Sequence, residues 1–380
     1  MVFVGEWKEC QLGDLIIFQR GHDLPKTKMQ GGEYPVVGSN GIIGYHNEYT
    51  TEAPSITIGR SGNVGKPFLF KGRSWSHNTS LYIKEYKAVD PIFIYYFLQT
   101  LDLGNYAGGS AVPTLNRNHI HTLNVYVPTD IAEQRKIGAV LSAIDDKIEL
   151  NNAINENLEQ QAHALFKAWF VDFEPFGGVM PYDWNVGIVS DLSKEIICGK
   201  TPSTKKKEYY GNFMPFITIP DMHNCVYAIS TERYLSELGA KSQSKKTLPK
   251  NSICVSCIGT AGLVVLVAVD SQTNQQINSI IPKDGYSPYY IYLFMQTLSE
   301  KINRLGQSGS TIVNLNKAQF GIMEALVPSI VSMNEFDSIV QPLFKLILAN
   351  QQENQRLSAI RDTLLPKLMN GEIDVSAVKI

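Results

Sequence analysis

The run Gly59-Arg-Ser-Gly-Asn-Val-Gly65, followed by Lys66, has the glycine and lysine content of a phosphate cradle. Its spacing is wrong for a P-loop, and Pro67 stands where a Ser or Thr would hold Mg²⁺. A base-modifying amino-methyltransferase would need a Pro-Pro-aromatic loop, and no Pro-Pro occurs in the chain. Glu85-Tyr86-Lys87 imitates part of a nuclease motif, but the nearest preceding Asp outside it is the remote Asp23. Cys254-Val-Ser-Cys257 lacks the second cysteine pair that a four-ligand zinc site wants, so its strand-like stretch reads as two buried thiols. His119 and His121 would share one face of a strand, without further ligands beside them. These residues point to no metal and no catalytic centre.

Residues that hold and read a polyanion are more plentiful. Lys205, Lys206 and Lys207 follow Thr204 in a basic loop reached from Lys200, and Lys241, Lys245 and Lys246 form a second one. Lysines of this kind hold phosphates and fix register without reading bases. Base edges are read by Arg, Asn, Gln, Ser or Thr on loops that enter a groove. Glycine-flanked loops offer Arg60, Asn63, Ser110 and Thr114 early in the chain, and Thr260, Gln307, Ser308 and Thr311 late in it. Arg20, His22, Lys26, Lys28, Ser39 and Asn40 lie in a further stretch of the same character.

The elements that must position these residues occur twice. Gly109-Ser110, Leu115-Asn116-Arg117 and Val127-Pro128 return as Gly309-Ser310, Leu315-Asn316-Lys317 and Val327-Pro328. The apolar segment opening at Pro91 returns at Pro288, each proline preceded by an N-cap residue, Asp90 or Ser287. Such a long period marks a duplicated domain, since solenoid units run to roughly 20–50 residues. Each copy opens with a Trp-led strand (Trp7, Trp184), runs through short strands and turns, adds a buried helix, and closes with an alternating strand. Asn116 and Asn316 recur at equivalent places and read as structural turn residues. Residues 20–52 and 199–250 differ between the copies, so sequence-specific contacts are expected there.

A long helical pattern follows each closing Val-Pro. Ile137, Leu141, Ile144, Ile148, Asn151, Asn155, Leu158, Ala162, Leu165 and Trp169 form one seam. Phe336, Val340, Leu343, Ile347, Asn350, Asn354, Leu357, Arg361, Leu364 and Leu368 form the other, with identical steps. Sustained a/d spacing of this length predicts a coiled coil. A seam asparagine costs stability unless another polar group meets it. Antiparallel pairing sets Asn151 and Asn155 against Asn350 and Asn354. Parallel pairing in register also matches the amides, so the pattern leaves orientation open; antiparallel is preferred because it relates the copies by a twofold. About 40 helical residues span about 60 Å, nearly two turns of DNA at roughly 34–36 Å each. Pro342 should kink the second helix or mark its start.

Bulk properties agree with a soluble protein. The chain has 44% apolar and 18% charged residues, and its longest apolar run, 263–269, is only a strand's length. Five scattered cysteines and the lack of a secretory signal suggest reduced thiols and a cytoplasmic location. The net charge of −2 is unevenly spread. Residues 1–130 carry 11 basic and 11 acidic groups, 131–175 carry 4 and 8, 176–330 carry 14 and 11, and 331–380 carry 5 and 6. The second repeat is therefore basic.

Around the helices the chain resembles the specificity subunits of type I restriction-modification systems over essentially its whole length. The likeness is sharpest in Val127-Pro-Thr-Asp-Ile-Ala-Glu-Gln-Arg-Lys136, in Leu141-Ser-Ala-Ile-Asp-Asp-Lys-Ile-Glu-Leu150, in Ala164-Leu-Phe-Lys-Ala-Trp-Phe-Val-Asp-Phe-Glu-Pro-Phe176 and in Arg361-Asp-Thr-Leu-Leu-Pro-Lys-Leu-Met-Asn-Gly371. The resemblance implies an α+β fold: two duplicated α/β target recognition domains separated by two long antiparallel coiled-coil helices, with pseudo-twofold symmetry. It places the recognition domains at residues 1–130 and 177–329 and the spacer helices at 131–176 and 330–380. It further implies a non-catalytic subunit that reads a bipartite double-stranded DNA target. Its partners would be two modification (methyltransferase) subunits and the restriction (motor-nuclease) subunits, with no membrane involved. No cofactor is expected on this chain; S-adenosylmethionine, and ATP with Mg, would belong to the partners. Glu133-Gln134-Arg135 has no counterpart at Met333-Asn334-Glu335, so unequal docking at the two ends is expected. The alternative, resting on the net charge of −2, is a helical scaffold with globular protein-binding ends.

Overall fold

The computed structural model describes residues 6–29, 31–109, 113–307 and 315–379. Two compact units divide the chain, one of residues 1–148 with 356–380, the other of residues 149–355. Each of the two 40-residue helices, Ile131–Phe170 and Ile330–Met369, contributes to both units. No helix among the described residues is long and apolar enough to cross a membrane.

In the first unit, a four-stranded antiparallel sheet runs in the order Ile16–Arg20, Ser80–Tyr86, Ser55–Gly59, Pro67–Phe70. A three-stranded sheet of Gly41–His46, Tyr34–Gly38 and Trp75–Ser76 adjoins it in sequence, its last pair parallel. The Trp-led strand Trp7–Gln11 pairs antiparallel with the closing strand Asn124–Pro128. Helix Pro91–Gln99 starts where the sequence pattern puts it: the Asp90 carboxylate accepts from the Ile92 and Phe93 amides at 2.9 and 3.0 Å. Its face joins Phe18, Ile56, Ile58, Ile137 and Leu141 in one core, which Leu368 and Met369 complete from the far end of the chain.

The second unit repeats this plan. A five-stranded sheet orders Ser193–Cys198, Ile277–Pro282, Ile253–Ser256, Val264–Val267 and Tyr227–Ala228. A three-stranded sheet holds Tyr234–Leu235, Tyr210–Ile217 and Gln272–Thr273, the last pair again parallel. Asn185–Ile188 and Glu324–Val327 form the closing ribbon. Ser287 caps helix Pro288–Thr297 by accepting from the Tyr290 amide at 3.2 Å. Phe166, Phe170, Trp184, Tyr290 and Phe336 centre its core.

Within each unit the long helices run antiparallel. In the second, the Asn151 amide donates to Asn354 Oδ1 at 2.8 Å, and the Asn350 amide donates to Asn155 Oδ1 at 2.9 Å. Asn354 in turn donates to Asn152 at 2.8 Å. One number rises as its partner falls, which settles the orientation that the pattern left open. In the first unit, Arg361 Nη1 donates to Asp145 Oδ1 at 2.7 Å, and the Tyr96 hydroxyl donates to Asp145 Oδ2 at 2.6 Å. Burial, then the bond to Asp145, holds the Tyr96 phenol far above its usual range, so it acts as the donor.

Three expectations need correction. Pro342 does not start the second helix, which begins twelve residues earlier at Ile330 and continues through it. Proline removes one backbone donor, and here the apolar face of Phe336, Val340, Phe344 and Ile347, all buried, carries the helix past that loss. His119 and His121 lie not on a strand but on the short helix Arg117–His121, because the Asn116 side chain caps it. His121 Nε2 accepts from the Phe18 amide at 2.9 Å, and burial lowers its pKa, a structural role for the neutral ring. Finally, Gln307 ends a helix, Ser299–Gln307, instead of sitting in a loop. An ion pair between Glu300 and Arg304 one turn apart, and the fully buried Ile302, make that segment helical.

Asp145 serves two donors at a half-buried site, so Asp145→Ala should lower stability by about 1–3 kcal/mol. Asp145→Asn should cost less, because its amide oxygen still accepts from Tyr96. Urea unfolding of the full chain followed by circular dichroism checks this; an unchanged midpoint for Asp145→Ala would count against the role of the triad.

Candidate nucleic-acid interface

Strand register brings the candidate loops of each unit to one end of its sheet. Arg20 and Ile58 both pair with Leu81, and Gly59 pairs with Ser80, so the chain leaves Arg20 and Gly59 at the same end. In the second unit Cys198 and Val255 both pair with Asn278, so the segments opening at Gly199 and Cys257 also leave together.

The first group closes around Thr79. Its carbonyl accepts from the Arg60 amide at 2.8 Å, and its hydroxyl accepts from the Ser39 amide at 3.3 Å. The Arg60 carbonyl accepts from the Leu115 amide at 2.9 Å, and Thr114 bridges to Ser61. Ser39, Arg60, Asn63 and Thr114 are thus drawn into one loop cluster, with Asn40 exposed on the same turn as Ser39. Gly59 has to be glycine, since a Cβ there would meet the Asn63 carbonyl oxygen at 1.8 Å. Arg60 has no carboxylate partner among the described residues. Arg20 is exposed and paired with Asp23 at 3.5 Å. Lys26 and Lys28 are exposed on a 3-10 turn, and His22 is exposed against Trp75. Ser110 lies outside the described residues.

The second group joins the two lysine clusters. The Gln243 amide donates to the Lys200 carbonyl at 2.9 Å, and the Ser236 hydroxyl donates to the Glu208 carbonyl at 2.5 Å. The 200–209 segment and the 236–246 segment therefore form one basic patch. These are not the free loops that composition suggests: Lys241 ends helix Glu237–Lys241, and Lys245 and Lys246 sit on the 3-10 turn Ser244–Lys246. Lys241 pairs with Glu237 at 2.6 Å, and Lys206 donates to the Tyr209 hydroxyl at 3.1 Å. Lys200, Lys205, Lys207, Lys245 and Lys246 have no carboxylate partner among the described residues, and all but the half-buried Lys246 are exposed. Thr204 and Thr260 are exposed beside them in sequence. The side chain of Gln307 and all of Ser308 and Thr311 lie outside the described residues.

Along the helix seams, Ile137, Leu141, Asn151, Leu158, Val340, Ile347 and Asn350 are buried. Ile144, Ile148, Asn155, Leu165, Leu343, Asn354, Leu357 and Leu364 are half-buried. Gln134, read from sequence as part of a docking motif, is buried against its own unit. It accepts from the Asp90 amide at 2.8 Å and donates to the Pro128 carbonyl at 2.9 Å.

Residues with catalytic looks are occupied structurally. Tyr86 donates to the Pro54 carbonyl at 3.0 Å and Lys87 to the Gly13 carbonyl at 2.7 Å. Burial pushes the Cys254 and Cys257 thiols up to about 12 and about 11, so neither is a thiolate at neutral pH. A cavity of about 780 Å³ in the second unit has an internally bonded polar wall, where Tyr292 donates to Glu159 at 2.9 Å and Gln296 to Glu159 at 3.1 Å. Sequence reasoning missed Trp75, Gln243 and Gln272, which organise the loops from beneath. Each stands alone between serines or between a serine and a threonine, where no periodicity marks it.

A family model described as "Type I restriction modification DNA specificity domain" matches residues 5–160 and 181–361. Among curated proteins, the chain is 38% identical over 329 residues to the type I restriction enzyme HindI specificity subunit of Haemophilus influenzae, covering 69% of this chain and 71% of that protein. It is 29% identical to the MjaIX specificity subunit of Methanocaldococcus jannaschii, covering 74% and 69% respectively. In fold it is similar to the crystal structure of a type I restriction-modification S subunit from M. genitalium, with a TM-score of 0.66 at 18% identity over 96% of each chain.

Each exposed lysine that contacts a phosphate adds about one unit to the salt dependence of binding. The double variant Lys205→Ala/Lys207→Ala should therefore flatten the log K against log salt slope by about two, weakening binding alike on all sequences. Fluorescence anisotropy of the assembled complex on duplex DNA at several salt concentrations measures it; an unaltered slope would remove these lysines from the interface.

Proposed function

From its place in the type I restriction-modification DNA specificity family, to which the chain belongs, we propose that it is the non-catalytic reader of a bipartite duplex target. The observation that carries this reading is the repeated frame. In both units the sheet register delivers two divergent loop groups to one sheet end, while the frame beneath them recurs. One frame with two sets of side chains suits one duplex with two different half-sites.

In this reading the unpaired lysines of the second unit neutralise phosphates and set register. Arg60, Asn63 and Thr114 in the first unit, and Thr260 with its neighbours in the second, reach base edges. Guanidinium and amide groups suit bidentate contacts to purine edges in the major groove, each worth about 1–3 kcal/mol of discrimination. The antiparallel helices are the spacer and the docking surface for two modification subunits, and the assembly recruits the restriction subunits. Methyl transfer with S-adenosylmethionine and ATP-driven cleavage with Mg belong to those partners, so this chain selects the site at which they act.

Exchanging residues 1–130 for the corresponding segment of another family member should alter one half of the methylated motif and leave the other half and the gap unchanged. Sequencing of modified bases in cells carrying the exchanged subunit with its partners provides the readout. A change in both halves, or in neither, would refute the assignment of one half-site to each repeat.

A further inference from the structure

The divergent segments of the two repeats are pinned by the same hydrogen bonds. At their starts, the Gly21 amide donates to the Ser80 carbonyl at 3.0 Å, and the Gly199 amide donates to the Ile277 carbonyl at 3.1 Å. The next residues repeat the match: His22 donates to the Ser76 carbonyl at 2.8 Å and Lys200 to the Thr273 carbonyl at 2.9 Å. At their ends, Thr51 bridges to Ser74 and Leu248 bridges to Ser271. Acceptors in the two repeats differ by 197 in number throughout, the offset between Pro91 and Pro288. Both starting glycines are sterically required, because a Cβ at Gly21 would lie 2.1 Å from the His77 carbonyl oxygen and one at Gly199 would lie 2.1 Å from that of Asn274.

Between these pins runs one short strand, Trp75–Ser76 or Gln272–Thr273, parallel to Val36–Val37 or Phe216–Ile217. Its first residue is the same position in both repeats and carries a different side chain in each. Gln272 is 0% exposed, and its amide nitrogen reaches the Ala240 carbonyl at 3.0 Å and the Thr247 hydroxyl at 2.9 Å. Its oxygen accepts from Gln243, itself 8% exposed, which also holds the Lys200 carbonyl. Trp75 instead packs against rings from the first divergent segment: His46 at 4.8 Å and His22 at 6.0 Å between centroids. Polar ties therefore seat the longer segment and ring contacts seat the shorter one, from one equivalent place.

We infer that Trp75 and Gln272 are paired positioning residues for specificity, each seating the divergent target-reading segment of its own repeat. The inference rests on the proposed reading of two half-sites. It goes further by separating the residue that orients a reading segment from the residues that touch DNA. Hydrogen bonds to several backbone and side-chain groups from one buried amide fix a segment's direction, so losing them frees the segment without removing its charges.

The test uses the complex assembled with its modification subunits. Gln272→Met keeps the volume and removes every tie. Sequencing of modified bases should then show sites with one mismatch in the second repeat's half-motif gaining about tenfold in modification relative to the cognate site. The other half should stay sharp. Trp75→Leu should relax only the half read by the first repeat. Uniform loss of modification with both halves intact would overturn the inference by making these residues merely structural, and joint relaxation of both halves would overturn it too. Should Gln272→Met unfold the unit, Gln243→Ala removes the ties to Lys200 and to the Gln272 oxygen, leaves the Gln272 bonds to Ala240 and Thr247, and is read in the same way. The exchange of residues 1–130 separates the two layers. If it alters one half of the motif while Gln272→Met leaves the other half sharp, the positioning role fails and the half-site reading stands; if the exchange alters both halves or neither, the half-site reading itself fails.

Discussion

An amide placed on a helix seam lowers stability until another amide answers it, and this constraint governs how the two long helices meet. Asn151 and Asn350 are buried, and each donates to an asparagine of the opposite helix. A shift of one heptad would set Asn151 against Ile347 and Asn350 against Ile148 in one direction, or Asn151 against Arg361 and Asn350 against Ala162 in the other, so buried amides would lose their partners at about 1–3 kcal/mol each. Apolar seams alone tolerate such shifts, since Leu against Ile packs nearly as well in many registers. The asparagines trade some strength for a single alignment. In the proposed reading of these helices as a spacer, alignment is the property that matters.

The first unit reaches the same end by a different route. Where the second unit has Ala162, Leu293 and Phe344, the positions related by the repeat in the first hold Arg361, Tyr96 and Asp145. An apolar contact in one copy has become a charged and hydrogen-bonded one in the other. The half-buried pair has both carboxylate oxygens occupied, which offsets much of the desolvation that makes such pairs costly. Duplication has thus kept the helix geometry while allowing its chemistry to diverge.

Most of the frame was legible in the sequence because it rests on periodic or local signals. The seams step by three and four, the proline-led helices announce their caps at Asp90 and Ser287, and repetition itself exposed the two copies. Signals failed where two periods overlap or where a side chain acts across space. His119 and His121 fit a strand by alternation, yet the Asn116 cap starts a helix there. Pro342 reads as a breaker, yet a buried apolar face on both sides outweighs the one hydrogen bond it removes. Gln134 looks like part of a surface motif and is instead a buried strap. For the candidate interface, the sequence indicated residue types and the divergent stretches. Only the register of the sheets shows which loops leave from one end, and only the fold reveals Gln243 and Gln272 beneath the lysines.

Net charge is a poor guide to this molecule, and the structure explains why. A sum of −2 over 380 residues averages an acidic first spacer with a patch in which five lysines lack carboxylate partners among the described residues. Charges act over about 8–10 Å at ordinary salt, so in the proposed reading the local patch, and not the sum over the chain, sets the attraction to phosphates. The same short range is the reason that the buried amide pair bears on the proposed surface function. Contacts to a duplex depend on where an ammonium or guanidinium stands to within an ångström or so, and that placement is set by the backbone that carries it. In the proposed reading charge supplies the attraction, and the inferred role of the ties beneath Lys200 and around Trp75 is to set where it is exerted.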